Sequence, residues 1–180
     1  MRVITGSAKG RVLETPAGES TRPTSGVVKE AMLSAIQFEI ENAFVLDLFA
    51  GSGQLGIEAL SRGARFAVFV DKGKDALAAI GQNLANVKLD QNARVLSTDA
   101  AAFLKNTTDT FDIAFVDPPY KEDWAQRVLP ALVKKMSPGG VIVFESGRKD
   151  KLPDMCGEFA LAKEYCFGVR KVSIYRHTEM

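Results

Sequence analysis

From residue 44 onward, short apolar runs alternate with stretches whose apolar positions recur at every third or fourth residue. The runs at 44–49 (FVLDLF), 65–71 (RFAVFVD), 93–98 (ARVLST), 111–117 (FDIAFVD) and 137–146 (SPGGVIVFES, a turn leading into the run) read as five strands. Nearly continuous apolar strands are those buried on both faces, as in a parallel sheet. Between them, 53–63, 74–89, 99–106 and 122–136 carry the helical period. Upstream, Val27, Val28, Ala31, Met32, Ala35 and Ile36 share a helical face, with Ser25 placed as N-cap. Residues 159–168 and 169–176 are strand-like with no room for a helix between them, which predicts an antiparallel hairpin. At the start, 2–6 and 10–15 alternate apolar and polar residues around a turn and predict a β-hairpin, followed by a loop over 18–26.

The pattern predicts an α/β fold, a mostly parallel, doubly wound sheet ending in an antiparallel C-terminal hairpin, with an N-terminal β-hairpin added. That is the layout of the Rossmann-like class I methyltransferases. Residues 1–24 read as an extension of one domain over 25–180.

Composition narrows the function classes. The chain of 180 residues is 46% hydrophobic and 25% charged, an ordinary globular balance for a single domain. Its apolar runs fall well short of the roughly 20 residues that cross a bilayer, so no membrane partner is expected. The start, MRVITGSAKGR, lacks an apolar signal core. Cys156 and Cys166 have no metal-like spacing and are expected to be reduced thiols in a cytoplasmic protein, with no metal. The single histidine, His177, reads as a tail residue, which removes Ser-His-Asp triads, zinc clusters and a histidine base. Net charge is +1, so global charge does not announce nucleic acid. Locally, Arg2, Lys9 and Arg11 occur without an acid in the first eleven residues, and Arg22 and Lys29 follow, a stretch that on charge alone reads as solvated surface. A monomer is the expectation.

Candidate chemistry lies at the strand ends. Gly51, Gly53 and Gly56 match the G-x-G-x-x-G spacing of a dinucleotide loop. Yet Asp47 precedes them, and Asp71, Asp99 and Asp117 end or follow the next three strands, on the rim where open α/β sheets bind ligands. One aspartate there is often just a helix cap; four along one rim are harder to dismiss. A pyrophosphate beside unpaired carboxylates would be repelled by roughly a few kcal/mol. No lysine or arginine lies in DLFAGSGQLG to offset that, and no G-K-[ST] follows. S-adenosylmethionine, with a sulfonium, an amino group and no phosphate, suits an acidic rim. Glycines at 51 and 53 let backbone turn sharply beside a ligand, whereas Gly56 fits close helix–strand packing.

Asp117-Pro118-Pro119-Tyr120 is the most specific stretch. An exocyclic amino group on an aromatic base is a poor nucleophile, because its lone pair is delocalised. Asp117 and the Pro118 carbonyl can each accept one of its N–H bonds. The prolines pre-set the turn, and Tyr120 offers a stacking surface worth roughly 1–3 kcal/mol, against a base-flipping cost of a few kcal/mol. Adenine N6, cytosine N4, guanine N2 and a glutamine amide all satisfy this geometry.

MRVITGSAKGR, STRPTSGVVKEAML, LDLFAGSGQLGIEALSRGA, FVDPPYKE and VRKVSIYR together resemble the bacterial RsmD family over essentially the whole chain. Those enzymes methylate N2 of a guanine in small-subunit (16S) ribosomal RNA. The resemblance implies that Asp47, Gly51 and Gly53 line the methionine end of S-adenosylmethionine. Asp71 would hold its ribose and Asp99 its adenine amino group, with Phe49, Ser52 and Ala100 in the same cofactor-binding set. Asp117 to Tyr120 would hold the guanine. Arg22 and Thr24 would close the site over cofactor or RNA, and Arg2, Lys9, Arg11, Arg22 and Lys121 would contact RNA. The implied partner is an assembled or partly assembled small ribosomal subunit. Gln54 stands where the family often has a smaller residue, and Lys72-Gly73 where a further acid is common. Competing readings keep the chemistry with a DNA adenine or protein glutamine as acceptor, or make the chain a non-catalytic RNA-binding assembly module. Trp124 and Tyr165 read as packing residues.

Overall fold

The computed structural model describes residues 1–17, 25–119 and 123–179. The alternating pattern becomes α1 (Gly26–Ala35), β1 (Phe44–Leu48), α2 (Gln54–Ser61), β2 (Phe66–Asp71), α3 (Lys74–Val87), β3 (Ala93–Ser97), α4 (Ala100–Asn106), β4 (Phe111–Val116), α5 (Trp124–Leu132), β5 (Met136–Gly147), β6 (Met155–Cys156), β7 (Phe159–Phe167) and β8 (Arg170–His177). One eight-stranded sheet runs in the order β3-β2-β1-β4-β5-β8-β7-β6. The first five strands are parallel, and β8 pairs antiparallel with β5 and β7. The closing hairpin thus sits with β8 inserted beside β5, and the two-residue β6 is an addition at its edge.

Strand residues alternate between two apolar layers, as the two-residue side-chain period requires. Val45, Phe69, Ile113, Phe115 and Val143 face a layer with Met32, Leu33, Ile57, Ile80 and Leu84 of α1 to α3. Leu46, Leu48, Val68, Val70 and Ile142 face Phe103, Leu104, Val128 and Leu129 of α4 and α5. Both faces are covered, which is why these strands could be apolar throughout. Ser25 caps α1 as expected, its hydroxyl accepting from Val28 N at 3.4 Å.

The N-terminal hairpin takes a reduced form. A single antiparallel bridge joins Arg2 to Val12, supported by Leu13 N donating to Met1 O at 2.9 Å. Its anchorage is lateral: Gly6 lies so close to α2 that a Cβ there would be 1.9 Å from Ser61 O. Two expectations are corrected. Lys29 is not solvated but 1% exposed, its Nζ 3.2 Å from Glu58. His177 is not a tail residue; it is buried in β8, Nε2 3.2 Å from Glu158 Oε2 and edge-on to the Phe159 ring. Cys156 and Cys166 are both free thiols. No helix among the described residues is long and apolar enough to cross a membrane.

Candidate active site

Parallel register puts the ends of β1, β2 and β4 side by side, with Leu48 opposite both Val70 and Val116. A cavity of about 330 Å³ opens at this edge, within the size range of small-molecule sites. Asp47, Asp71, Asp99 and Asp117 all line it, together with Phe49, Gly51, Ser52, Ala100, Pro118 and Pro119. Tyr120, Lys121, Arg22 and Thr24 lie outside the described residues.

Gly53 departs from the set. It does not line the cavity; its φ of 79° turns the chain into α2, and its missing Cβ would sit 3.3 Å from Ile80 and Phe69 in the core. Gly56 is a packing glycine as expected, since a Cβ there would fall 2.4 Å from the Phe69 ring. Gly51, by contrast, is left-handed at φ 59° with open space where its side chain would be. Phe49 is also left-handed, at φ 62°. For a bulky residue that conformation costs on the order of 1–3 kcal/mol and persists only where surroundings enforce it. Here the Phe49 ring meets Trp124 edge-on at 4.8 Å.

Each acid of the rim also does local work. Asp71 joins two loops, accepting Gly51 N and Gly73 N, one at each carboxylate oxygen and both at 2.9 Å. Asp99 caps α4 through Ala102 N at 2.9 Å. Both keep lone pairs for further hydrogen bonds. Asp47 is 1% exposed and accepts Gly56 N at 2.9 Å. Burial pushes its carboxyl well above the usual carboxylate range; the Gly56 N–H opposes that, and the charges of Asp117 and Asp71 add to it. Among the described residues, two cations reach the wall, Lys72 and Arg170, and Arg170 is engaged by Glu145 at 2.6 Å. Among the described residues, Asp71, Asp99 and Asp117 against one open ammonium, with the Asp47 carboxyl able to ionise beside a cation, favour a cationic ligand over a pyrophosphate. No group of three or more His, Cys, Asp or Glu among the described residues is placed to hold a metal ion.

Sequence reasoning missed part of the wall. Met1, Thr15 and Pro16 line the cavity, so the N-terminal extension belongs to it. Asn83 of α3, 0% exposed, holds that extension in place. Its amide nitrogen donates to Glu14 O at 3.0 Å and to Ser52 O at 2.9 Å, and its oxygen accepts Glu14 N at 2.7 Å. One side chain therefore ties the glycine loop to the segment carrying Thr15 and Pro16. Trp124 and Arg170 are also wall residues; Trp124 carries Arg127 over its ring at 4.2 Å. Gln54, the departure from the family pattern, is buried in the wall. Of the basic residues called for RNA, Arg2, Lys9 and Arg11 are all exposed on the N-terminal turn, away from the cavity lining.

A doubly wound sheet with an acidic rim, a left-handed glycine loop and an Asp-Pro-Pro turn at β4 is a Rossmann-like class I methyltransferase fold. Comparison with known proteins agrees. The solved structure of yhhF from Escherichia coli superposes with a TM-score of 0.89 at 30% identity, covering 100% of this chain and 99% of that one. HI0767 of Haemophilus influenzae gives 0.82 at 31% identity over 99% and 98%. YlbH of Bacillus subtilis (strain 168) is 40% identical over 182 residues, 98% of each chain. Ribosomal RNA small subunit methyltransferase D of Escherichia coli (strain K12) is 32% identical over 178 residues, 98% of this chain and 89% of that protein. Residues 1–176 match the family described as "Conserved hypothetical protein 95". The chain belongs to that family, the RsmD family its motifs resemble.

Proposed function

We propose that this protein transfers a methyl group from S-adenosylmethionine to the exocyclic N2 of a guanine in small-subunit ribosomal RNA. The observation that carries the reading is the shared wall: Asp117, Pro118 and Pro119 line the same cavity as the acid rim. A cofactor seated against the rim would therefore abut the turn that can hold an amino group. A relative of nearly equal length is named a ribosomal RNA small subunit methyltransferase, which supports the acceptor class.

The cofactor supplies an electrophilic methyl carbon on a positively charged sulfur. Asp47 would stabilise that charge at the methionine end, Asp71 would hold the ribose hydroxyls, and Asp99 and Ala100 would bound the adenine end. Asp117 and the Pro118 carbonyl each accept one N–H of the guanine amino group and turn its lone pair toward the methyl carbon. Held there, S-adenosylmethionine would supply the methyl group and retain the C–S bonding electrons as the C–N bond formed, while the proton released from the amino nitrogen would pass through Asp117 or to water. No covalent enzyme intermediate is needed. Much of the gain would be orientational, from a turn whose prolines restrict it before substrate arrives.

Nucleosides from ribosomal RNA of a strain lacking the protein test the acceptor. Loss of N2-methylguanosine is expected. Intact N2-methylguanosine with loss of N6-methyladenosine from DNA would assign a different acceptor.

The raised Asp47 carboxyl adds a pH dependence. A carboxyl raised by folding holds its proton more tightly in the folded chain, so its contribution to stability falls as pH climbs out of the ordinary carboxylate range. A cation beside it favours ionisation. S-adenosylmethionine should bind more tightly as pH rises above the ordinary carboxylate range, releasing a proton. S-adenosylhomocysteine, which lacks the sulfonium charge, should show a shallower dependence. Calorimetry of both ligands in buffers of different ionisation heat reads this directly; equal slopes would detach Asp47 from the sulfonium.

A further inference from the structure

A second cavity, of about 530 Å³, lies on the other side of the methyl-acceptor turn. It shares Pro118, Pro119 and Trp124 with the first. Its remaining wall comes from the start of α5, the end of β5 and the turn that follows, through Leu152, and includes Lys149 and Lys151. Both lysines are exposed, and neither has an ion pair or hydrogen bond among the described residues.

The turn that carries them is built. Asp150 N donates to Gly147 O at 3.0 Å, and the Asp150 carboxylate accepts Gly147 N at 2.8 Å. Lys171 donates to Asp150 O at 2.7 Å from beneath, and Arg148 N donates to Val169 O at 2.7 Å. The wall's acids are largely occupied elsewhere. Asp150 is folded back on its own turn, and Glu145 is held by Arg170 at 2.6 Å. Among the described residues, Asp123 at the start of α5 is the one open carboxylate against two open ammoniums.

The two cavities differ in charge as well as position. One is acidic and suits a cation, while the other offers ammonium groups beside the turn where the acceptor nitrogen must sit. We propose that Lys149 and Lys151 bind backbone phosphates of the RNA strand flanking the target nucleotide, making the second cavity its entrance to the methyl-acceptor turn. The inference rests on the RNA-methylating reading above and assigns it a contact surface that the basic N-terminal turn alone does not supply. Lysine serves here as a point charge for phosphate, and each phosphate contact on a single strand adds about 0.7 to the salt slope.

The test uses full-length protein and small ribosomal subunits from a strain lacking it. For Lys149→Ala/Lys151→Ala, KM for the subunits should rise about tenfold or more, with kcat nearly unchanged. The slope of log KM against log salt should fall by roughly 1.4, two contacts at about 0.7 each. Calorimetric affinity for S-adenosylmethionine should not move, and Lys149→Arg/Lys151→Arg should restore most of the salt slope. Unaltered KM and slope in the double alanine variant, with wild-type methylation intact, would overturn this inference alone. A shift that appears only in an Arg2→Ala/Lys9→Ala/Arg11→Ala variant would move the RNA to the N-terminal turn. Wild-type protein that transfers no methyl group to the subunits would overturn the functional reading, and this inference with it.

Discussion

Asp117→Ala is expected to lower kcat on ribosomal RNA by on the order of 10²–10³-fold, the scale seen when one preorganised hydrogen-bonding group is removed from a reacting centre. Cofactor affinity should largely survive, because Asp47, Asp71 and Asp99 remain on the rim. The proposed role puts Asp117 on the acceptor nitrogen, so its loss removes orientation at the moment of transfer rather than a ligand contact. Asp117→Asn keeps one acceptor oxygen and should retain more activity than alanine. A second readout comes from the neighbouring carboxyl. The Asp117 charge helps hold Asp47 above its usual range, so in the alanine variant Asp47 should ionise at lower pH. The pH dependence of S-adenosylmethionine binding should shift with it. Parallel collapse of binding and turnover would make Asp117 a cofactor ligand and end its role as an acceptor clamp.

Glu58→Ala carries the largest expected effect on stability. Glu58 is 0% exposed and holds four partners. It accepts Ile4 N at 3.0 Å and Thr5 N at 2.9 Å, and it pairs with Lys29 and Arg62, both at 3.2 Å. Burial lowers the Lys29 ammonium from its ordinary range, and the Glu58 carboxylate pulls it back up. Truncation leaves a buried ammonium with the Arg2 carbonyl, 2.9 Å away, as its remaining partner and two backbone N–H groups unmatched, a loss of about 3–5 kcal/mol. In a chain of this size that lowers Tm by roughly 10 °C. Glu58→Leu/Lys29→Met, which removes both charges, should recover part of the loss, since apolar pairs often replace buried ion pairs without penalty. Thermal unfolding of the three proteins decides it; a single variant within about 1 °C of wild type would mean the network is solvated in solution, as surface pairs are. Because Glu58 also anchors the segment leading to Thr15 and Pro16, the alanine variant should weaken cofactor binding as well.

The strands and helices were legible because their signals are local. A two-residue or 3.6-residue period is carried by neighbours in sequence, and each parallel strand here is apolar enough to mark both of its faces as buried. The acid rim was legible for a related reason. Strand ends can be placed from periodicity, and a topology of β-α-β units brings those ends to one edge. Asp47, Asp71, Asp99 and Asp117 needed only that rule to be grouped.

What resisted reading was decided by contacts between distant segments. Gly51 and Gly53 share one motif, yet only backbone direction puts the first at the cavity and the second against Ile80 and Phe69. Asn83 looks like any polar position on an amphipathic helix; it is buried because the N-terminal segment lies across it, 69 residues away in sequence. Lys29 reads as a solvated residue and His177 as part of a tail until Glu58 and the Phe159 ring are placed beside them. Trp124 and Arg170 become wall residues only when α5 and the inserted strand β8 close around the Asp-Pro-Pro turn. Local periodicity and residue chemistry thus specified the elements, the edge that binds a ligand and the sign of its charge. The depth of the cavity, its cover and the pairing of buried charges depend on energies that exist only once the segments are packed, because burial sets the cost of an unpaired group.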